Sequence, residues 1–144
     1  MSPNIVKQLK QEEGEVLHAY KDHLGFLTIG VGILIDKRKG GGITNEESDY
    51  LLVNRLSSIY KELVISLPWL DKLNEAREAV LVEMAFQMGI EGLLKFKDTL
   101  AKIKASDFEG AASSMLSSLW SRQTPGRANR MAKQMLTGEW VFRD

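Results

Sequence analysis

Residues 13–32 read EGEVLHAYKDHLGFLTIGVG. Glu13 stands where a helix stops, because Gly14 can take the left-handed conformation that closes a helix C-terminus. Beyond it the period becomes two. Val16, His18 and Tyr20 alternate, as do Phe26, Thr28 and Gly30, which puts one member of each pair on a common face of two strands. Between them, Lys21 to Gly25 is a polar, glycine-ended hairpin connection. A helix end and a hairpin can thus gather Glu13, Asp22 and Thr28 around one cleft, although none neighbours another in sequence. The small strand content falls in this first third, so the expected class is α+β with a dominant helical part.

Two carboxylates across a cleft suit acetal chemistry: a protonated acid donates to the leaving oxygen, and an ionised carboxylate activates water or stabilises positive charge. Taken alone the pairing is a weak signal, since the chain holds 19 acidic residues and most carboxylates are solvated charges on helix faces. Its spacing, and several further blocks, make it specific. Glu13-Gly14, Tyr20-Lys21-Asp22, Gly25 and Thr28-Ile29-Gly30-Val31-Gly32 form the first block. Phe86-Gln87-Met88-Gly89 is the second. Trp120, Gln123-Thr124-Pro125-Gly126-Arg127-Ala128 and Arg130 follow, and Thr137-Gly138-Glu139-Trp140 closes the set.

Together these blocks resemble the T-even phage lysozymes, the endolysin family of glycoside hydrolases that cut bacterial peptidoglycan, over nearly the whole chain. The resemblance implies an α+β, lysozyme-like fold: a small N-terminal β-hairpin lobe and a larger helical lobe, joined by a long helix, with a cleft between them. Residues 1–144 are then one lysozyme-like domain, with about 13–60 as the β-containing lobe and bridging helix, and 1–12 and 61–144 as the helical lobe. It also implies a muramidase that hydrolyses the β-1,4 bond between N-acetylmuramic acid and N-acetylglucosamine and so lyses a host cell. Glu13 is the expected general acid, Asp22 the ionised base or electrostatic stabiliser, and Thr28 the residue that positions water. Gln87, Phe86, Gly32 and Leu34 are the expected substrate-binding residues, although Phe86 reads first as core. Arg127 is expected beside Glu13 and Arg130 beside Glu12. No metal or other cofactor is expected. Neither is stable membrane insertion or a nucleic-acid partner; the chain is expected to act as a monomer on peptidoglycan.

Two demands on Glu13 conflict. A general acid must hold its proton when substrate binds, which asks for burial, whereas a neighbouring arginine favours the ionised form. The expectation is that Arg127 orients the carboxyl while bound sugar restores its proton affinity. Thr28 can accept and donate at once, and a held water favours inversion, in which water needs room between carboxylate and sugar, over a covalent intermediate.

Composition bounds the remaining possibilities. With 144 residues, 44% hydrophobic content and three prolines, the chain can fill one core or two small lobes. No run approaches the roughly 18 apolar residues of a membrane span, and Met1-Ser2-Pro3-Asn4 carries no basic and then apolar export signal. Retention in a host cytoplasm is therefore expected, with release to the periplasm through a phage pore, a holin, implied by the resemblance. The absence of cysteine removes disulfide and thiolate chemistry, and two histidines without ligand-like spacing make no metal site. Formal net charge is zero, which disfavours both a helix-turn-helix binding module and general nucleic-acid affinity. The same neutrality supplies no global attraction to an anionic wall.

Along the chain, Ser2 is expected to cap a first helix with Pro3 in its first turn and Ile5, Val6 and Leu9 on one face. Ile33-Leu34-Ile35 reads as a third strand, and Asp36 to Gly42, holding Lys37-Arg38-Lys39, as a mobile loop. Thr44 to Glu47 is a capping box opening a long helix whose stripe is Leu52, Leu56, Ile59 and Leu63. Asn74 caps a helix with Ala76, Val80 and Met84 on one side and Gly89 at its end. Shorter helices are expected near 96–103, 107–116 and 125–136, the last with Thr124 as cap and Pro125 at its first position. Trp69, Trp120 and Trp140 read first as packing residues, although an indole also stacks on sugars.

Two departures from the family pattern stand out. Ile33 replaces a histidine and Arg55 its acidic partner, so a pair has been replaced rather than broken and the loss concerns stability. The 36–42 segment is much shorter than the corresponding region of the best-known family members, which implies a cleft that binds fewer sugars or binds them with less specificity. Two other functions share parts of this pattern: a lytic transglycosylase, which closes muramic acid on itself, and a non-catalytic peptidoglycan-binding phage domain. Asp22 and Thr28 weigh against the first, and the retained Glu13 against the second.

Overall fold

The computed structural model describes residues 2–21, 24–30, 33–35 and 41–143, the side chains of Glu13 and Leu27 excepted. Helix α1 (Asn4–Glu13) leads into strands β1 (Val16–Lys21), β2 (Leu27–Gly30) and β3 (Ile33–Leu34). Helices α2 (Asn45–Ser66), α3 (Glu75–Met88), α4 (Ile90–Leu94), α5 (Lys97–Lys104), α6 (Phe108–Leu116), α7 (Leu119–Gln123) and α8 (Pro125–Thr137) follow, with a 3₁₀ turn at Leu70–Lys72 before α3. The class is α+β, lysozyme-like in its elements. The chain divides into two compact units, Met1–Val53 and Asn54–Asp144, and the boundary falls within α2.

In the first unit the three strands form one antiparallel sheet in the order β1-β2-β3. Val16 pairs with Gly30 and Tyr20 with Thr28, as the alternation requires, but the register shifts between those pairs, so β1 carries the extra residues of a bulge. Thr28 also faces Leu34 across β3. The third strand is shorter than Ile33-Leu34-Ile35 and stops at Leu34. Gly14 ends α1 at φ 73, ψ 168, a positive-φ conformation different from the expected left-handed helical one, with its N–H on the Lys10 carbonyl. Pro3, not Ser2, occupies the cap position; the Ser2 hydroxyl instead accepts from the Asn4 N–H at 3.2 Å. Ile5, Val6 and Leu9 are all exposed.

Helix α2 opens with a reciprocal capping box. Thr44 N–H donates to Glu47 Oε1 at 2.9 Å, and Glu47 N–H to Thr44 Oγ1 at 3.1 Å. Its apolar stripe is buried progressively, from exposed Leu52 through half-buried Leu56 and Ile59 to fully buried Leu63. Lys37, Arg38 and Lys39, with the rest of 36–40, lie outside the described residues.

The second unit contains the hydrophobic core. Leu63, Leu70, Val80, Leu81, Met84, Leu93, Ile103, Met115 and Met135 are its fully buried centre, where α6 packs on α5 and α8, and α3 on α4 and α8. Asn74 caps α3 by accepting from Arg77 N–H, and its Nδ2 donates to the Gly138 carbonyl at 2.9 Å. Arg77 closes the far end of α8: Nε donates to Met135 O at 2.8 Å and Nη2 to Leu136 O at 3.0 Å, while the guanidinium lies 3.6 Å over the Phe108 ring. These are carbonyls that a helix end leaves without intrahelical partners. Gln134, buried on α8, donates to Ala76 O at 2.7 Å and accepts from Val141 N–H at 3.1 Å, tying α3, α8 and the tail together with both ends of its amide bonded.

Three short elements escaped the sequence reading: the 3₁₀ turn, α4 and α7. Each is five residues or fewer, too short for a helical period to register. At α8, Thr124 holds the cap position but makes no capping bond; its hydroxyl donates back to Trp120 O at 3.0 Å.

Candidate functional site

Thr28 is buried in the middle strand of the sheet, the one buried residue among those described in its unit. Its hydroxyl donates to the Phe26 carbonyl at 3.2 Å. With that hydrogen committed, the oxygen still has lone pairs with which to accept. Leu34, its cross-strand partner, is 47% exposed and offers an apolar surface beside it. Glu13 is the last residue of α1, and its side chain is outside the description. Asp22 and Gly32 lie outside the described residues altogether. At the α1 end, Lys10 and Glu15 form an exposed ion pair of 3.1 Å, an arrangement worth little to stability.

In the second unit Gln87 is exposed near the end of α3, and its side-chain oxygen accepts from Trp120 Nε1 at 3.0 Å. Indole nitrogen only donates, so this bond decides which end of the amide is oxygen and leaves the NH₂ group as donor on the exposed side. Trp120 is itself buried and meets the edge of Phe96, ring centroids 6.2 Å apart at 85°. The indole therefore packs, as expected, and also orients Gln87. Sequence offered no sign of that pairing, since 33 positions separate the two residues.

Phe86 corrects the core reading: it is 48% exposed. The buried stripe of α3 is Ala76, Val80, Leu81, Met84 and Ala85. Continuing by a helical step of four leads to Met88, which packs against the core, and leaves Phe86 off the stripe. Phe86 lines a groove of about 760 Å³ with Arg55, Ser58, Ile59 and Glu62 of α2 and with Gly89 and Glu91 around the start of α4. Gly89 makes the corner between α3 and α4 at φ 82, a conformation available at little cost only to glycine. Arg55 is thus a groove-lining cation, and Ile33 in the other unit is 56% exposed. Trp140 is a second correction. It is 47% exposed and stacked on Phe142 rather than packed in the core, because the chain turns away from α8 at Gly138.

Arg127 and Arg130 are both half-buried on α8, and three-residue spacing puts them on one side of the helix. The Arg130 guanidinium lies close over Gly126, where a Cβ would come within 3.4 Å of Nη1. A titratable pair that sequence reading missed is Glu78 of α3 and Tyr60 of α2, near enough for each to perturb the other. Burial raises the Glu78 carboxyl above its usual range, the nearby Tyr60 hydroxyl partly offsets this, and the charges of Glu75 and Asp71 add to the rise. Tyr60 is likewise raised, first by burial and then by the Glu78 charge.

Among the described residues, no helix is long and apolar enough to cross a membrane. The profile of the family described as Phage lysozyme matches residues 10–135. A probable T4-type lysozyme of Dictyostelium discoideum is 33% identical over 96% of this chain and 96% of its own length. The endolysin of Salmonella phage P22 is 32% identical over 85% of this chain and 84% of its own. The pre-baseplate central spike protein Gp5 of Enterobacteria phage T4 is 32% identical over 95% of this chain, which corresponds to 28% of that longer protein.

Proposed function

The chain belongs to the phage lysozyme family and is a peptidoglycan-hydrolysing enzyme; from that premise we propose that it cleaves the β-1,4 bond between N-acetylmuramic acid and N-acetylglucosamine with inversion, using Glu13, Asp22 and Thr28. The observation that carries the mechanism is the committed hydroxyl of Thr28, buried on the middle strand with its hydrogen on the Phe26 carbonyl. Such an oxygen accepts a hydrogen from a water molecule without competing for it as a donor. The water's second hydrogen goes to the Asp22 carboxylate, which leaves a lone pair for the anomeric carbon. Attack forms the new C–O bond as the bond to the leaving oxygen breaks. Glu13 transfers its proton to that leaving oxygen, and Asp22 takes the proton lost by the water.

Gln87 is proposed to donate its NH₂ hydrogens to acetamido or hydroxyl oxygens of the glycan, with Trp120 holding the amide in that sense. Phe86, Leu34 and Gly32 are proposed as further substrate contacts, and Arg127 and Arg130 as residues that orient carboxyl groups of the α1 end. The whole of residues 1–144 is read as one lysozyme-like domain acting as a monomer. Release to the wall through a phage pore is part of the same reading, supported by the endolysin relative.

Digestion of purified peptidoglycan tests this. Hydrolysis yields new reducing ends, and proton NMR at early times reads the configuration of the first product. Anhydro ends would assign a lytic transglycosylase, and intact polymer a binding domain.

A further inference from the structure

The chain has no cysteine, so its oxidisable sulfur lies in methionine alone. Met84, Met115, Met131 and Met135 are all buried in the core, at 7% exposure or less. Met88 differs from them. It is the last residue of α3, half-buried, packed on one side against the core and lining the open groove beside Phe86, Arg55 and Glu62. Its side chain lies over the first turns of α4, where a Cβ on Gly92 would come within 3.1 Å of Met88 Cγ and 3.7 Å of Sδ. The absence of a side chain at Gly92 therefore gives the thioether its room. Met88 also stands between two residues that set the geometry of this corner. Gln87 precedes it, with its side-chain oxygen accepting from Trp120 Nε1, and Gly89 follows, turning the chain at φ 82.

We propose that Met88 is a redox-sensitive site: a peroxide converts its thioether to the sulfoxide ahead of the four buried methionines, and the added oxygen weakens substrate binding by loosening Gln87. The second half of this rests on reading Gln87 as a glycan contact. In the reaction the sulfur attacks one oxygen of the peroxide, so that an S–O bond forms as the O–O bond breaks. With hydrogen peroxide, the departing hydroxide takes the proton of the transferred oxygen and leaves as water. Sulfur is oxidised by two electrons and the peroxide reduced by two. The thioether packs as an apolar group, whereas the sulfoxide is polar and would leave its oxygen unpaired against the core. It turns to the water of the groove instead, and the last turn of α3 loses a packing contact. Gln87 lies in that turn, so its NH₂ group is no longer held in one direction.

The test treats the full folded chain with dilute hydrogen peroxide and follows each methionine by peptide mass mapping, which also separates any gain at Met1. Met88 should take up one oxygen at least about tenfold faster than Met84, Met115, Met131 and Met135, which meet the oxidant only through opening of the core. At full oxidation of Met88, KM on peptidoglycan should be raised about threefold with kcat within about twofold. The Trp120 indole N–H resonance, which reports the bond to Gln87, should shift at the same time. Methionine sulfoxide reductases for the two epimers should reverse all three changes. Met88→Leu, a swap that conserves volume, should show neither the KM rise nor the indole shift when its treated and untreated forms are compared. Oxidation of Met88 no faster than of the buried four overturns the proposal. So does an unchanged KM in the oxidised parent, or an equal rise in Met88→Leu. An untreated parent that releases no reducing ends refutes the hydrolase reading instead; the mass map and the indole resonance then decide the redox site by the same comparison.

Discussion

Glu13 and Asp22 are assigned opposite protonation states, and that difference is what isosteric substitution reads. Glu13→Gln keeps the shape and removes the transferable proton, so cleavage should fall at least about a hundredfold, the lower range for general acid catalysis, with circular dichroism unchanged. Asp22→Asn should impair cleavage as well, but azide entering the vacated face should partly restore it and give an inverted glycosyl azide. Rescue of Glu13→Gln and not of Asp22→Asn would exchange the two roles. At Gln87 the bond to Trp120 separates acceptor from donor. Gln87→Glu keeps an acceptor for the indole and loses the outward NH₂, while Gln87→Ala loses both. If the donor is what meets the glycan, both should raise KM about fivefold, the worth of one hydrogen bond of about 1 kcal/mol, and leave kcat within about twofold. A kcat loss as deep as that of Glu13→Gln would move Gln87 into the chemistry.

At the scale of elements, α3 and α8 are joined by side chains that reach across to backbone, and the end of α8 is where this can be broken with one methyl group. Gly138 sits in the left-handed region at φ 71, and a Cβ there would lie 2.8 Å from Asn74 Nδ2 and 3.0 Å from Arg77 Cζ. Gly138→Ala therefore combines backbone strain with displacement of the Asn74 and Arg77 bonds, and should cost more than about 1 kcal/mol of unfolding free energy. A chemical denaturation midpoint within error of the parent would contradict it. The contact of α2 with α3 through Tyr60 and Glu78 has a pH signature. Because the folded state raises the Glu78 carboxyl, the stability it contributes is complete below the unfolded value near 4.5 and is lost as pH rises through the raised folded one. Glu78→Gln keeps an acceptor for Tyr60 and removes that loss. Its melting temperature should exceed the parent's at pH 7, with the advantage shrinking as pH falls from the raised folded value toward about 4.5 and absent below that. An advantage that grew toward acid pH would mean that the carboxylate is stabilised, not penalised, by folding.

For the molecule as a whole, burial is unevenly shared. Every buried hydrophobic residue among those described lies between Leu63 and Met135, in the second unit, whereas the described part of the first contributes only Thr28. Amide protection scales with buried contacts, so hydrogen exchange should be slowest in α3, α6 and α8, approaching the global unfolding free energy. The amides of α1 and β1–β3 should exchange by local opening, at least about a hundredfold faster at the same pH. Uniform protection across both units would show one cooperative unit and refute this.

Features whose cause lies within a turn or two of chain were legible in the amino-acid order. The Thr44–Glu47 capping box, the Asn74 cap, the helix ends at Gly14 and Gly89, the pairing faces of the hairpin and the buried Ala76, Val80 and Met84 all follow from local backbone preference or period. The separated motifs determined the family in the same way, since they are chemistry written at fixed spacing. The partnerships of distant residues emerge only on folding: Trp120 with Gln87, Gln134 with Ala76, and Arg77 with the last carbonyls of α8. The outward turn of Phe86 and the stacking of Trp140 on Phe142 belong with them. One cause is common to all. A large or polar side chain can satisfy itself in several ways, and the choice among them is made by what packing brings within reach, which no local pattern encodes.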